Sequence, residues 1–295
     1  MNKIKLSSLL LGSATILSLI IALWGYYEES NNDARFAMIL LFVLVIVFLL
    51  FTIIQEYRYS RRARYAEAMN CIHNAYYECL KKIPEEDKEA YIKIEKRSFR
   101  ICDNIAMAFN LLTHTRCAVC IKIIDQDEED IKKKNPELKV DTICRDTISY
   151  SKRDSKILSK KLNIEHFISK NTDFQEVIEN TDHPAFDRCF FENNLTVRKN
   201  YKNTSHEIYG ESKKLKVNIP ILRFFYNDFK WKLPYKSTIV APICPLRPDS
   251  GDIQGFLCVD STSRNVFVKK YDSDIIINIA ASLYPMILRW QNICN

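Results

Sequence analysis

The longest uninterrupted apolar run in the chain is Phe36–Ile54, FAMILLFVLVIVFLLFTII, 19 residues without a charge, Gly or Pro. As a helix rising about 1.5 Å per residue it reaches about 28 Å, the hydrocarbon thickness of a bilayer. A helix packed in a water-soluble core keeps a polar stripe, and here only Thr52 is polar. A second apolar run, Ile4–Leu23, is softened by Ser7, Ser8, Gly12, Ser13, Thr15 and Ser18. The pattern predicts a transmembrane hairpin over 1–56, with helices at about 4–24 and 36–54. Lys3 and Lys5 also admit a signal peptide, but no small-residue cleavage site follows convincingly. Ser8, Gly12, Thr15 and Ala22 fall on one face, where small residues let helices approach; simple tolerance of Ser and Gly is the plainer reading.

Charge gives the hairpin a direction. The connecting loop carries Glu28, Glu29 and Asp33 against Arg35, and Trp24, Tyr26 and Tyr27 suit an interfacial belt. The outer flanks carry Lys3 and Lys5 on one side and Arg58, Arg61, Arg62 and Arg64 on the other. The positive-inside rule then predicts a multi-pass protein of the inner membrane with both termini cytoplasmic.

After the membrane segment the period changes. Tyr65, Met69, Ile72, Tyr76, Cys79 and Ile83 step by three and four, the spacing of a coiled-coil seam, and predict a helical stalk over 57–84. Pro84 interrupts. Ile94, Ser98, Ile101, Ile105, Ala108 and Leu112 repeat the stepping in a helix over 88–113. Either helix could dimerise or pack on its own domain. The domain proper is expected at 85–295. In it, Arg116–Ile124, Leu138–Ser149, Tyr235–Cys244 and Ile253–Ser261 read as strands, the last two as a hairpin about the turn PDSGD. Asp173–Ile178 reads as a short helix and Tyr271–Ile293 as a closing amphipathic helix. Antiparallel strands with helices laid on them define an α+β domain.

Composition narrows the chemistry. The formal net charge is +7, and Thr196–Lys236 alone holds ten basic residues against three acidic ones. Without a basic cluster motif this excess suits solubility, an anionic membrane surface or a small anionic ligand better than nucleic acid. Most of the ten cysteines sit in apolar runs such as RCAVCIKII and GFLCVD, as buried thiols of a reducing compartment do. Cys117 and Cys120, three apart on a strand, point to opposite faces and so do not form a redox or zinc pair. No suitably spaced second pair, HExxH, GxSxG or phosphate-binding Gly loop occurs, so no catalytic residue, metal site or cofactor is assigned.

The run YKSTIVAPI, the following GFLCVDS and the terminal DSDIIINIAASLYPMI resemble the last two strands and last helix of a GAF domain. Cys144–Ser149, CRDTIS, resembles the second-strand region of bacterial members, and 88–113 their first helix. The resemblance implies a dimerising sensor module with a GAF-like antiparallel sheet flanked by helices. It also implies a small-molecule site between the sheet and a lid, here 150–232. The NKFDE-type signature of cyclic-nucleotide binders is missing. Some GAF-fold enzymes reduce free methionine sulfoxide with cysteines, but Cys189, Cys244 and Cys258 show no matching constellation. The expected ligand-facing residues are Arg145, Asp146, Arg223, Tyr226, Trp231, Tyr235, Ser237 and Asp260; Arg145–Asp146 reads equally as a structural ion pair. Phe224, Phe225, Tyr226 and Trp231 would suit base stacking or a lid core. The function expected is a membrane-anchored, homodimeric sensor that binds a small molecule or protein partner and couples it to the membrane helices. The alternative is a membrane-perturbing effector, as in anti-phage signalling, triggered through the same domain. No separate output domain is read from the sequence.

Overall fold

The computed structural model describes residues 32–82, 84, 89–124, 138–149, 166–180, 188–206, 231–245 and 253–294. The chain divides into two compact units, Met1–Ala63 and Arg64–Asn295. The described residues of the first unit belong to helix α1, Asn32–Leu80, which runs on into the second. The helix expected at 36–54 and the stalk beyond it are thus one unbroken helix. Phe48 and Ile53 are 65% and 64% exposed, and their apolar neighbours Leu44 and Val47 are exposed too. Among the described residues α1 is the one helix long and apolar enough to cross a membrane. The helix expected at 4–24 and its loop lie outside the described residues, so the structure describes one arm of the expected hairpin.

In the second unit the small residues of α1 turn inward. Ala68 and Cys71 pack with Ala108, and Ala75 and Cys79 join the main core. Of the expected seam, Tyr65, Met69 and Tyr76 stay exposed, whereas Cys79 is buried in that core and Ile72 packs partly against it; Ile83 lies outside the described residues. Helix α2, Ala90–Thr113, buries Ile94, Ser98, Ile101, Ile105 and Ala108, so its 3–4 stripe packs on its own domain.

The sheet consists of β1 (Cys117–Ile124), β2 (Lys139–Arg145), β3 (His166–Phe167), β4 (Phe190–Glu192), β5 (Ser237–Ile243) and β6 (Gly255–Ser261). Its order is β3-β2-β1-β6-β5-β4, and all neighbours are antiparallel. β1, β5 and β6 read as nearly continuous apolar runs because they are central and covered on both faces. Strand alternation sorts their side chains. Val119, Ile121, Ile239, Leu257 and Val259 meet α1, α2 and the closing helix α4 (Lys269–Cys294) in one core. Cys120, Ile124, Val240, Phe256 and Cys258 meet α3 (Thr172–Glu179) in a second. Each fully buried side chain of this size, Phe109 and Phe256 among them, contributes about 1.5–3 kcal/mol of burial.

One irregularity lies at the centre. Cys120 and Ile121 face Arg145 and Cys144, but Lys122 faces Thr142, which leaves Ile143 as the extra residue of a β-bulge. At the far end of β1, Gly255 of β6 lies so close that an added Cβ would stand 2.0 Å from the Lys122 carbonyl oxygen. Two sheet edges are short, β3 and β4, as edge strands of soluble domains tend to be.

Candidate functional site

The second face of the sheet carries ionisable groups where a core would be apolar. Cys120 and Lys122 are on β1, Thr238 on β5, and Cys258 and Asp260 on β6. The register sets Cys120 between Arg145 and Cys258, and Thr238 opposite Asp260. The Thr238 hydroxyl donates to Asp260 Oδ1 at 2.6 Å. Lys122 is 6% exposed. Its Nζ donates to Thr142 Oγ1 at 3.0 Å and lies 5.6 Å from the centroid of Phe174.

Helix α3 closes over these groups. Phe174 stacks on Phe256 with centroids 4.6 Å apart, and beside it Asp173 is buried. Tyr201 donates its hydroxyl to Asp173 Oδ2 at 3.2 Å and shares a hydrogen bond with Tyr235. Asn171 holds the Tyr201 segment over the helix: its Nδ2 donates to Thr204 Oγ1 at 2.6 Å, and its Oδ1 accepts from the Thr204 backbone N–H at 3.0 Å. Trp231 donates its indole N–H to the Tyr235 carbonyl at 2.6 Å and packs against Tyr201, with ring centroids 6.2 Å apart. Arg198 pairs with Glu176 and, at 3.2 Å, with Glu192, tying α3 to the edge strand β4.

Burial sets the protonation of the cluster. It pushes the Asp173 carboxyl up to about 6, against the pull of its hydrogen bonds and of Lys122. Burial, reinforced by the Cys120 thiolate, pushes Asp260 up to about 7. It lowers Lys122 and raises both tyrosines. The Cys120 thiol is lowered, first by a hydrogen bond from Cys258 and then, against burial, by Arg145 and Lys122. The face therefore offers two cations, two carboxyls near their midpoint at neutral pH, hydroxyls and a thiol–thiolate pair. Such a set can hold a small molecule bearing both acceptor and donor groups.

Of the residues expected from the sequence, Arg145, Tyr235 and Asp260 come together here, and Trp231 packs at the margin. Asp146 does not join them. Its carboxylate accepts from the backbone N–H groups of Val119 and Ser149, both at 2.7 Å, and from the Ser149 hydroxyl at 2.7 Å, so it fixes the chain leaving β2. Ser237 points with Ile239 to the other face and donates to the Ser263 carbonyl at 2.6 Å. Arg223 and Tyr226 lie outside the described residues, as does most of the expected lid. Cys117 and Cys120 do point to opposite faces, into the two separate cores. The residues that sequence reasoning missed are Cys120, Lys122, Asp173, Tyr201, Thr238 and Cys258. Lys122 did leave a signal, as the one charge inside CAVCIKII. Among the described residues no three His, Cys, Asp or Glu side chains gather as a metal site would require.

A six-stranded antiparallel sheet with helices on both faces and a buried polar cluster on one of them is an α+β domain, the class that the resemblance read from the sequence implies. No protein-family model and no curated protein matches the chain. Similar solved structures include the GAF domain of a phosphoenolpyruvate-protein phosphotransferase from Coxiella burnetii, at 9% identity and TM-score 0.42, covering 78% of this chain and 98% of that one. The GAF domain of such a phosphotransferase from Acinetobacter is similar at 8% identity and TM-score 0.41, over 77% and 97%. A type II free methionine-R-sulfoxide reductase from Thermoplasma acidophilum is similar at 11% identity and TM-score 0.38, over 67% and 96%. The α+β assignment rests on the sheet order itself.

Proposed function

We propose that the chain is a membrane-anchored sensor whose GAF-like domain binds a small polar molecule against β1, β5 and β6. The observation that carries this reading is the burial of Lys122 and Asp173 beside Cys120 and Asp260 on one sheet face. Burying an ion costs several kcal/mol even after relaxation. A core built only for stability would use apolar residues there, and perturbed ionisable groups gather at functional sites. The mixed charge favours a ligand with an anionic group for Lys122 and Arg145 and a donor for the carboxyls. In this reading no covalent turnover occurs. Helix α1 anchors the domain, and its exposed Tyr65, Met69 and Tyr76 form the seam of a homodimer.

The test is mass spectrometry on residues 64–295 purified from a bacterial host. This fragment keeps Ala68, Cys71, Ala75 and Cys79 in the core. A dimer that releases a defined small molecule on denaturation, and a Lys122→Met variant that releases none, is the expected result. A protein that carries nothing and binds nothing from a cell extract would overturn the reading.

The unbroken course of α1 from Asn32 to Leu80 favours a second reading, in which the domain drives the membrane helix as an effector. Overexpression of the full chain would then depolarise cells, and removal of 1–56 would abolish the effect. Unchanged toxicity without those residues would refute it.

A further inference from the structure

Cys120 and Cys258 are direct partners across the β1–β6 ladder, and Val240 of β5 flanks Cys258 on its other side. Among the described strands this is the one place where cysteine faces cysteine. Both side chains belong to the same core, so they project from the same face. Both thiols are free, and they hydrogen-bond to each other. Residues directly opposite in an antiparallel ladder have Cα atoms about 4.5 or 5.5 Å apart. Either spacing lies inside the range a disulfide spans, about 4.4–6.8 Å. The bond can therefore close by side-chain rotation, without a shift of either strand.

We propose that Cys120 and Cys258 are a redox-active dithiol that hydrogen peroxide converts to a cross-strand disulfide. The two cysteines have distinct parts. Cys120 lies opposite Arg145 and next but one to Lys122, two cations that stabilise its thiolate, and the Cys258 thiol donates to it. Cys258 keeps its proton, held by that same hydrogen bond and by burial. The Cys120 thiolate attacks one oxygen of the peroxide. The O–O bond breaks, Cys120 becomes a sulfenic acid, and hydroxide leaves. Cys258 passes its proton to the hydroxide, and its sulfur attacks the Cys120 sulfur. The S–S bond forms, the sulfenic hydroxide leaves, and it takes up a solvent proton as water. In sum, two thiols and one peroxide give one disulfide and two waters.

The fold holds a second close thiol pair, Cys102 of α2 and Cys144 of β2, which also hydrogen-bond. Burial raises Cys102 well above its ordinary value, and no cation offsets it, so this pair serves as an internal control. Closing the Cys120–Cys258 bond removes a negative charge from between Arg145 and Lys122 and leaves the polar face more cationic. The proposal stands on the ladder register and is independent of whether a ligand binds there.

The experiment uses the full chain, solubilised in mild detergent, reduced, freed of reductant and exposed to equimolar hydrogen peroxide. After an acid quench the unreduced protein is digested and its cross-links are located by tandem mass spectrometry. The expected product is a peptide pair joined through Cys120 and Cys258, lighter by two hydrogens and separated again by dithiothreitol. In Cys258→Ser the reaction stops at a Cys120 sulfenic acid, which dimedone captures. The proposal is overturned if both cysteines remain alkylatable in denaturant after peroxide, or if a bond joins Cys102 to Cys144 while Cys120 and Cys258 stay free.

Discussion

Replacing Lys122 by methionine separates a residue kept for stability from one kept for binding. Lys122 is 6% exposed; among the described residues its ammonium donates to Thr142 at 3.0 Å and lies 5.6 Å from the Phe174 centroid. Burial of such an ion costs several kcal/mol. A hydrogen bond from a charged group returns about 1.5–3 kcal/mol, and a desolvated cation–π contact about 0.5–2 kcal/mol. Attraction to Asp173 and the Cys120 thiolate is partly cancelled by Arg145. Methionine has nearly the same length, no charge and enough flexibility to fill the space. Lys122→Met is therefore expected to stabilise the ligand-free domain by about 1–3 kcal/mol, as apolar replacements of buried charges often do. At about 2–4 °C per kcal/mol for a domain of this size, its Tm rises by about 2–12 °C. The assay is thermal unfolding by circular dichroism at neutral pH. Wild type and variant are both refolded from denaturant beforehand, so that no bound molecule stabilises either by mass action. A Tm that falls by a similar amount would refute the reasoning, because Lys122 would then be an ion the fold itself requires.

Three further outcomes follow from the same region. Asp173 and Asp260 bind protons more tightly folded than unfolded, with values raised from 3.8 to about 6 and about 7. Their contribution to stability is thus complete below about pH 4 and lost as pH rises through about 6–7; in a Tm series from pH 4 to 8, Asp260→Asn should show the shallower decline. Phe256→Ala, which empties a fully buried site stacked on Phe174, should cost about 3–5 kcal/mol in urea unfolding. Gly255→Ala would set a Cβ 2.0 Å from the Lys122 carbonyl and 2.9 Å from Ile123 Cα. Parting β1 from β6 there should cost about 3–4 kcal/mol, and a wild-type Tm in that variant would contradict the close approach.

Much of the fold was legible because its central strands are apolar on both faces. β1, β5, β6 and α4 lie within a few residues of their expected bounds, and the short helix α3 was readable from DFQEVI. The continuity of α1 was also on the page: no Gly or Pro occurs from Phe36 to Leu80, so nothing in the chain breaks the helix. The change of pattern after Ile54 marked a change of surroundings and was read as a boundary between elements. The inward stripe of Ala68, Cys71 and Ala75 was hidden by the larger side chains beside it. Small residues carry little weight in a hydrophobic pattern yet let helices approach closely. For the site, strand alternation separates Thr238 from Ser237 once the strand is known, whereas the meeting of Cys120 with Cys258 needs the register of strands over a hundred residues apart. Asp173 and Tyr201 reach the cluster only because Asn171 and Thr204 clasp two distant segments.

The bulge at Ile143 has a consequence for the composition of the polar face. On a regular strand, residues three apart project to opposite sides, so Thr142 and Arg145 could not both address β1's inner face. The extra residue resets the parity, and the hydroxyl meets Lys122 while Arg145 lies opposite Cys120. Pairing the strand regularly with Ile143 still in it would leave every polar residue in the sequence and yet turn one end of the strand inside out. A hydroxyl or a guanidinium would be exchanged for its neighbour. Removing Ile143 would instead set Thr142 and Arg145 two apart, the spacing at which a regular strand keeps both on this face, so spacing and pairing along β2 are together as much a part of the site's chemistry as the identity of any residue on it.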